Sequence, residues 1–483
     1  MTRFLSSKVS RLPRRLAKGR ACVLAGLLAL CAASASAAPS VYPTGVTRHD
    51  PARADNSSYV LFTGQDKRTH LIDLNGNEVR QWPYEGFPPV LLDPAVTGGK
   101  LGHVLVQLSR QLDGPAAANA LAPQSLGEVD WNGQVVWRWS GAQAQQAYGS
   151  PDGAAAAGPA VRQHNDWRRL PNGNTAVLVS YAHPVAGFAA DKVIDDAIYE
   201  VSPQGEVVWR WVASEHLEEF GFSDASLKLI RGTLARNNKS APFDYLHLNN
   251  LSVLGSNRWF DAGDARFHPD NLLIGSRTAN FMAIIERKTG RVVWHLGPDF
   301  APSAPAGAKL PRPVDQLIGQ HDGHIIAKGL PGAGHLLVFD NQGEAGYPIV
   351  SPGLQPRSRI LEIDPVKKEI VWQYTGADSG APAWSFYSSF ISSARRLPNG
   401  NTLIDEGTSG RLFQVTPGGE IVWEYISPYF GEVRNGGEGK TVLSNWIYRA
   451  QPVPHGWVPT GAPLVGQAVK AIDVRTFRLP AQP

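Results

Sequence analysis

One phrase recurs six times in this 483-residue chain, and it limits the fold more than any other feature. An apolar strand leads into a turn carrying glycine or a charged residue, and valine or isoleucine then leads into tryptophan. The copies read LIDLNGNEVRQW ending at Trp82, GEVDWNGQVVWRW with Trp137, AIYEVSPQGEVVWRW with Trp209, AIIERKTGRVVW ending at Trp294, ILEIDPVKKEIVW ending at Trp372 and LFQVTPGGEIVW ending at Trp423. Apolar alternation around an Asn, Asp, Pro or Gly turn is the pattern of a β-hairpin. A second hairpin precedes most copies, in RRLPNGNTAVLV, FHPDNLLIGS, KGLPGAGHLLVFD and RRLPNGNTLID. Two hairpins make a four-stranded unit, and such units repeated radially form the blades of a propeller. The tryptophans stand 51 to 85 residues apart, so the longer units carry loop insertions.

The expected fold is therefore all-β, a six-bladed β-propeller with long loops and a short C-terminal extension. The expected divisions are 1–38 as a signal peptide, 39–57 as a lead-in, 58–450 as the propeller and 451–483 as the extension. The phrase SNWIYRAQPV, near the C-terminal end, is expected to close the ring with one more strand or to pack on a face. Two short helices are expected, over Val212–Phe220 and Ala225–Asn238, and loops over Pro115–Pro123 and Gly141–Ala160.

The first 38 residues read as a targeting segment. Arg11, Arg14, Arg15, Lys18 and Arg20 form a basic region, Cys22–Ala33 an apolar run, and Ala35-Ser36-Ala37 a small-residue cleavage signal. The run is shorter than the ~20 apolar residues of a membrane span, so the expected location is periplasmic or secreted, with no membrane attachment after cleavage. Both cysteines, Cys22 and Cys31, fall in this segment, which removes thiolate catalysis, thiolate metal sites and disulfides from the remaining chain. The segment holds seven of the 46 Lys and Arg and none of the 42 Asp and Glu, so the +4 formal charge becomes −3 without it. No basic run interleaved with aromatics follows it, and no nucleic-acid partner is expected.

Three cognate stretches carry a histidine near their start: QHNDWRRLPNGNTAVLVS with His164, YLHLNNLSVL with His247, and GQHDGHIIAKGLPGAGHLLVFDNQG with His321. Each lies on or just before the first strand of its unit, in blades three, four and five. First strands line the channel of a propeller, so equivalent positions can bring the three imidazoles together. At the ends of the second strands Ser180, Ser276, Asp340 and Gly407 form one column and Tyr181, Arg277, Asn341 and Thr408 the next. His324 is expected on the opposite strand face from His321, and His295 at a structural edge. The recurring tryptophans are expected to pack between blades, and Asp340, Asp405 and Glu406 to pair with Arg411 and its neighbours.

Taken together, QHDGHIIAKGLPGAGHLLVFDNQG, HLNNLSVL with LLIGSRTANFMAIIERKTGRVVW, and RRLPNGNTLIDEGTSGRLFQVTPGGEIVWEY resemble the bacterial aryl sulfotransferase family over roughly Val161 to Ser427. The resemblance implies an exported six-bladed propeller that moves a sulfuryl group from a phenolic sulfate ester to an acceptor phenol. It implies no nucleotide sulfate donor, no cofactor and no metal, and a ping-pong course through a sulfated histidine. On that resemblance His321 is the nucleophile, with Gln320 before it; His247 and His164 assist. Arg277 in GSRTAN binds the sulfate, and Asn341 and Gln320 are substrate-binding candidates. Unlike the best-known members, the chain beyond the expected signal peptide has no disulfide pair, and a homodimer is compatible with the resemblance. The residue types suit the chemistry, because an imidazole with a pKa near ~6.5 is largely unprotonated at neutral pH and can attack sulfur.

Two other classes fit parts of the pattern. Three inner-strand histidines are also a ligand set for a metal-dependent propeller oxygenase, although blade six, FYSSFISSARRL, offers no fourth. A non-catalytic propeller scaffold, or a quinoprotein-like relative, would share the GxVVW phrase.

Overall fold

The computed structural model describes residues 43–108, 125–141, 161–234, 242–300, 310–343, 345–347, 356–434, 441–459 and 466–471. The expected signal peptide and the loops over Pro115–Pro123 and most of Gly141–Ala160 lie outside these residues. Among the described residues the strands form six sheets, antiparallel except that Phe243–Asp244 pairs parallel with Val193–Ile194, plus a separate hairpin of Gly431–Arg434 with Thr441–Ser444. The sheets are the blades of a six-bladed β-propeller.

Blade 2 runs Glu85–Leu91, Val104–Gln107, Ser125–Val129 and Val135–Ser140 from the channel outward, and blade 3 runs Arg162–Arg169, Thr175–His183, Val193–Val201 and Val207–Val212. Blade 4 is Leu248–Val253, Leu272–Ser276, Phe281–Ile285 and Val292–Leu296. Blade 5 is His321–Ile325, Leu336–Asp340, Arg359–Asp364 and Glu369–Tyr374, with Arg312–Pro313 added outside. Blade 6 is Ser393–Arg396, Thr402–Glu406, Arg411–Val415 and Ile421–Ile426.

The ring is closed from both ends of the chain. Blade 1 takes Ser58–Thr63, Thr69–Ile72 and Glu78–Trp82 from one end and its innermost strand, Gln451–Pro454, from the other. Gly45–His49, in the stretch expected as a lead-in, adds a fifth strand outside blade 6. Both splices pair strands far apart in sequence, so neither end can leave without exposing a sheet edge.

All six blades repeat one irregularity. The ladder between the third and fourth strands shifts register at Leu71/Ile72, Glu128/Val129, Glu200/Val201, Ile284/Ile285, Glu362/Ile363 and Gln414/Val415. A bulge at a fixed place gives every outer hairpin the same added twist. The turn beside it needs a left-handed residue. Gly419 supplies it in blade 6 with φ 86, while Lys368 takes the same conformation in blade 5 with φ 56.

The tryptophans of the repeat latch neighbouring blades. Trp82 Nε1 donates to Asp130 O at 3.0 Å, Trp294 to Pro365 O at 2.8 Å, Trp372 to Pro417 O at 2.8 Å and Trp423 to Leu74 O at 2.8 Å. Each acceptor lies in the outer turn of the next blade, so the indole fills the interface and also satisfies a turn carbonyl. In blade 3 the donor is Trp211, to Gly290 O at 2.9 Å, rather than Trp209 of the recurring phrase. The two lie two residues apart on one strand and therefore share a face. The expected helices appear as a 3-10 helix at Ala213–Phe220 and a short α-helix at Asp224–Lys228 that passes into a π-helical turn at Leu229–Leu234.

Candidate active site

The innermost strands all run the same way along the channel, so their first residues meet at one end. His321 opens the inner strand of blade 5, His247 immediately precedes that of blade 4, and His164 is the third residue of that of blade 3. The rings of His164 and His247 meet edge to face with centroids 4.8 Å apart. Beside them a cavity of about 460 Å³ is lined by Phe87, His164, Asn165, Asp244 and Trp446 among others.

His321 is buried, and its environment fixes its tautomer. Its Nδ1 lies 2.8 Å from Asn341 Oδ1 and 2.9 Å from Gly319 O. Asn341 Nδ2 donates to Ser388 O at 2.8 Å and Ile391 O at 2.9 Å, so the amide oxygen is the end facing the ring. Both neighbours of Nδ1 are acceptors; Nδ1 therefore carries the proton. Nε2 keeps its lone pair and accepts the Ile391 N–H at 3.1 Å. Burial pushes the His321 pKa down to about 3, opposed by the bond to Asn341 and reinforced by the charges of Arg277, Arg449 and His247. The ring is therefore neutral at physiological pH.

The other two histidines each sit on a carboxylate. His247 Nδ1 lies 2.6 Å from Asp244 Oδ2, three residues back, and the histidine backbone is left-handed with φ 51. His164 Nδ1 lies 3.2 Å from Asp196 Oδ1, and its Nε2 accepts the Asn165 amide at 2.9 Å. Burial raises the pKa of Asp244, but the hydrogen bond and charge of His247, with His164 and Arg277, outweigh it and leave the carboxyl below its usual value. Asp196 is fully buried, and burial keeps its pKa raised against the pull of His164; its second oxygen accepts the Leu248 N–H at 2.8 Å and so ties blade 3 to blade 4.

Arg277 follows the second strand of blade 4, and its backbone N–H donates to His247 O at 3.1 Å. Its charge adds to the effect of burial in lowering the His321 pKa and to that of His247 and His164 in lowering that of Asp244. Gln320 and Asn341, expected to meet substrate, are engaged within the protein. Gln320 Nε2 donates to Ser276 O at 3.0 Å and Phe281 O at 2.8 Å, pinning the start of blade 5 to blade 4. Asn341 holds His321 as described. Among the other expectations, Asp340 pairs with Arg359 at 2.6 Å and Glu406 with Arg411 at 2.9 Å. Asp405 differs, because both its oxygens are buried without a hydrogen-bond partner. Among the described residues no group of three or more His, Cys, Asp and Glu side chains is placed to hold a metal ion.

The sequence reasoning did not single out Asp244, Asp196, Asn165 or Ile391. Asp244 could have been found, since it lies one helical-turn distance before His247 in FDYLH. Ile391 acts through its backbone, which leaves no signature in residue type. Aromatic side chains from distant parts of the chain also went unassigned: the ring centroid of Phe87 lies 3.9 Å from that of Tyr448 and 6.1 Å from that of Trp446.

A family model described as arylsulfotransferase (ASST) matches residues 125–428. The chain belongs to the arylsulfotransferase family. The match begins in the third strand of blade 2 and ends just beyond the fourth strand of blade 6, so it includes all three histidines, Arg277 and Asn341. No curated protein matches the chain. Among solved structures, a crystal structure of a protein of unknown function from Bacteroides caccae is 12% identical, with 82% of this chain and 99% of that chain covered and a TM-score of 0.40. The Myceliophteria thermophila Cps50 (Swd1) beta-propeller domain is 12% identical, with 81% and 91% covered and a TM-score of 0.36. Among the described residues no helix is long and apolar enough to cross a membrane.

Proposed function

We propose that this arylsulfotransferase-family protein moves a sulfuryl group from a phenolic sulfate ester to an acceptor phenol in two steps, through a sulfate carried on His321 Nε2. The observation that supports this reading most is the neutral, Nδ1-protonated ring of His321, whose Nε2 lone pair is the one available nucleophile on the ring. In the first step that lone pair attacks sulfur, the S–O bond to the aryl group breaks, and its electron pair leaves on the phenolate oxygen. In the second, the acceptor oxygen attacks the same sulfur, gives up its proton, and the S–N bond pair returns to Nε2.

The partner of Nδ1 matters to the second step. Asn341 is neutral and cannot take the proton, so the sulfated ring stays an imidazolium, which is a better leaving group than a neutral imidazole. Arg277 supplies charge for the sulfuryl oxygens. We assign the proton transfers to His247: Asp244 holds its Nδ1, while its Nε2 has no hydrogen-bond partner among the described residues. His164 has both nitrogens engaged and acts by placing His247. Phe87 and Trp446 offer ring faces to a phenol. The reaction takes place outside the cytoplasm if the N-terminal segment is the signal peptide that its sequence suggests.

The test is incubation with 4-nitrophenyl sulfate and a second phenol. The expected result is sulfated acceptor, a burst of one nitrophenolate per chain, and a sulfuryl mass on the peptide containing His321. Full turnover by His321→Ala would overturn the assignment.

A further inference from the structure

The channel has a second mouth, at the ends of the same strands that begin with the histidines. In blade 3 the inner strand passes from His164 to Arg168 and Arg169, and in blade 6 it ends in Arg395 and Arg396. With Arg449, these five guanidiniums form the floor of a cavity of about 450 Å³ that shares no lining residue with the cavity beside His164. Its wall is apolar, built by Val90, Leu92, Ile326, Leu330 and Trp457.

The charges are arranged unevenly. Arg168 pairs with Asp166 at 2.6 Å, Arg395 with Asp322, and Arg449 with Asp166 at 2.8 Å and Asp322 at 3.2 Å. Three cations thus share two carboxylates. Arg169 and Arg396 pair with Glu128 at 2.6 Å and Glu362 at 2.7 Å, whose other oxygens are bonded by His103 and His335. None of these four carboxylates lines the cavity; the arginines face it and the acids stand behind. Asp405, also close to Asp322 and Arg449, does not line the cavity either, and burial, with the charges of Asp322 and Glu406, raises its pKa well above the usual value. Asp93, on the rim, is exposed and caps a short turn through Ala95 N–H.

Several donors are also unmet. Arg449 Nη2, Arg396 Nε and Arg169 Nε are buried with no hydrogen-bond partner among the described residues. The Arg449 side chain is only 5% exposed. A buried donor without an acceptor is destabilising, the more so when charged, so a surplus cation with open N–H groups favours an anion there.

We propose that this cavity is a second, non-catalytic binding site for a small amphipathic organic anion, its acidic head on the arginine floor and its apolar body against Leu92, Ile326, Leu330 and Trp457. The volume lies in the usual range for a ligand of that size. His324, which also lines it, donates its Nδ1–H to Asp322 O at 2.9 Å.

The probe is naphthalene-2-sulfonate, whose C–S bond makes it unable to donate a sulfuryl group, titrated calorimetrically into the full chain. In Arg277→Gln, which removes the charge assigned to the sulfuryl oxygens beside His321, saturable binding is expected to remain, and to weaken tenfold or more when Arg168→Gln/Arg395→Gln is added. Asp166 and Asp322 keep Arg449 in the double variant; should it still misfold, Leu330→Trp fills the cavity from its apolar wall and is expected to block binding by itself. The neutral 2-naphthalenemethanol is expected to bind at least tenfold more weakly than the sulfonate. Absence of saturable binding overturns the proposal, as does binding that survives both the double variant and Leu330→Trp, or that is lost in Arg277→Gln.

Discussion

His321 Nε2 accepts the backbone N–H of Ile391 at 3.1 Å, while the carbonyl of the same Ile391 accepts the amide of Asn341, which holds the other side of the His321 ring. The ring is thus gripped at both nitrogens by one short loop. That loop is strained: Ile391 has φ 56 and Ser392 φ 89, conformations that cost a β-branched or ordinary residue about 1–3 kcal/mol. Ser388 and Ser392 brace it: Ser392 Oγ donates to Ser388 Oγ, Ser388 Oγ donates to Phe390 O, and the two accept from Thr408 N and Gly407 N, respectively, at the end of the blade's second strand. On the proposed mechanism the Ile391 N–H would have to release the Nε2 lone pair before it attacks sulfur, and would then be free to donate to a sulfuryl oxygen.

Asn341→Leu tests this grip. The variant removes the acceptor at Nδ1 and both ties to the loop, while Gly319 O still holds the proton in place. We expect kcat to fall roughly ten- to hundredfold, as for other losses of alignment, with KM little changed. Steady-state kinetics with 4-nitrophenyl sulfate would show it; unchanged kcat would mean that the loop positions itself without Asn341.

The depressed pKa of His321 gives a pH dependence of stability with a definite sign. Between pH about 3 and the unfolded value of 6.5, the unfolded chain binds a proton at this position that the native chain does not. Native stability therefore rises with pH through that window, by up to ~1.4 kcal/mol per pH unit for this one group. His324, also held well below its ordinary value by burial, first, and by Arg395, acts in the same direction. Urea midpoints for the wild type and His321→Gln at pH 4 to 7 should show a shallower dependence in the variant. The nitrophenolate burst should likewise persist at pH 5, where a free imidazole would be mostly protonated.

The repeat made the architecture legible in the sequence because bulge, turn and tryptophan recur in every outer hairpin, and each outer hairpin obeys local rules. Its alternation also placed the three histidines on or beside inner strands. What stayed hidden is non-local. Asp196 reaches His164 from the third strand of the same blade and ties down Leu248 of the next. Ile391 contributes a peptide group, and Gly45–His49 joins blade 6 across almost the whole chain. Trp211 replaces Trp209 because two positions on one face of a strand are interchangeable in the repeat, and only the neighbouring turn decides between them.

His247 and His164 separate by their response to leaving group. A general acid matters most when the departing phenolate is basic, so His247→Gln should slow transfer from unsubstituted phenyl sulfate by about 10²–10⁴-fold. The loss with 4-nitrophenyl sulfate should be much smaller, since nitrophenolate leaves without a proton. Asp244→Asn should show the same pattern more weakly. Equal losses with both donors would place His247 in binding rather than proton transfer.

The last prediction concerns ring closure, where blade 6 meets blade 1. Trp423 is fully buried, stacks beside Tyr425 with ring centroids 6.1 Å apart, and latches Leu74 O through its indole N–H. Trp372 makes the same kind of bond, to Pro417 O between blades 5 and 6, from a half-buried position. Trp423→Ala opens a cavity in the core and leaves Leu74 O without its donor, for a cost of about 3–5 kcal/mol. Trp372→Ala loses the same hydrogen bond but less buried surface, and should cost less than Trp423→Ala. If the two variants lower the urea midpoint equally, the latch bond, common to both, dominates the blade interface; if Trp423→Ala is clearly worse, burial does.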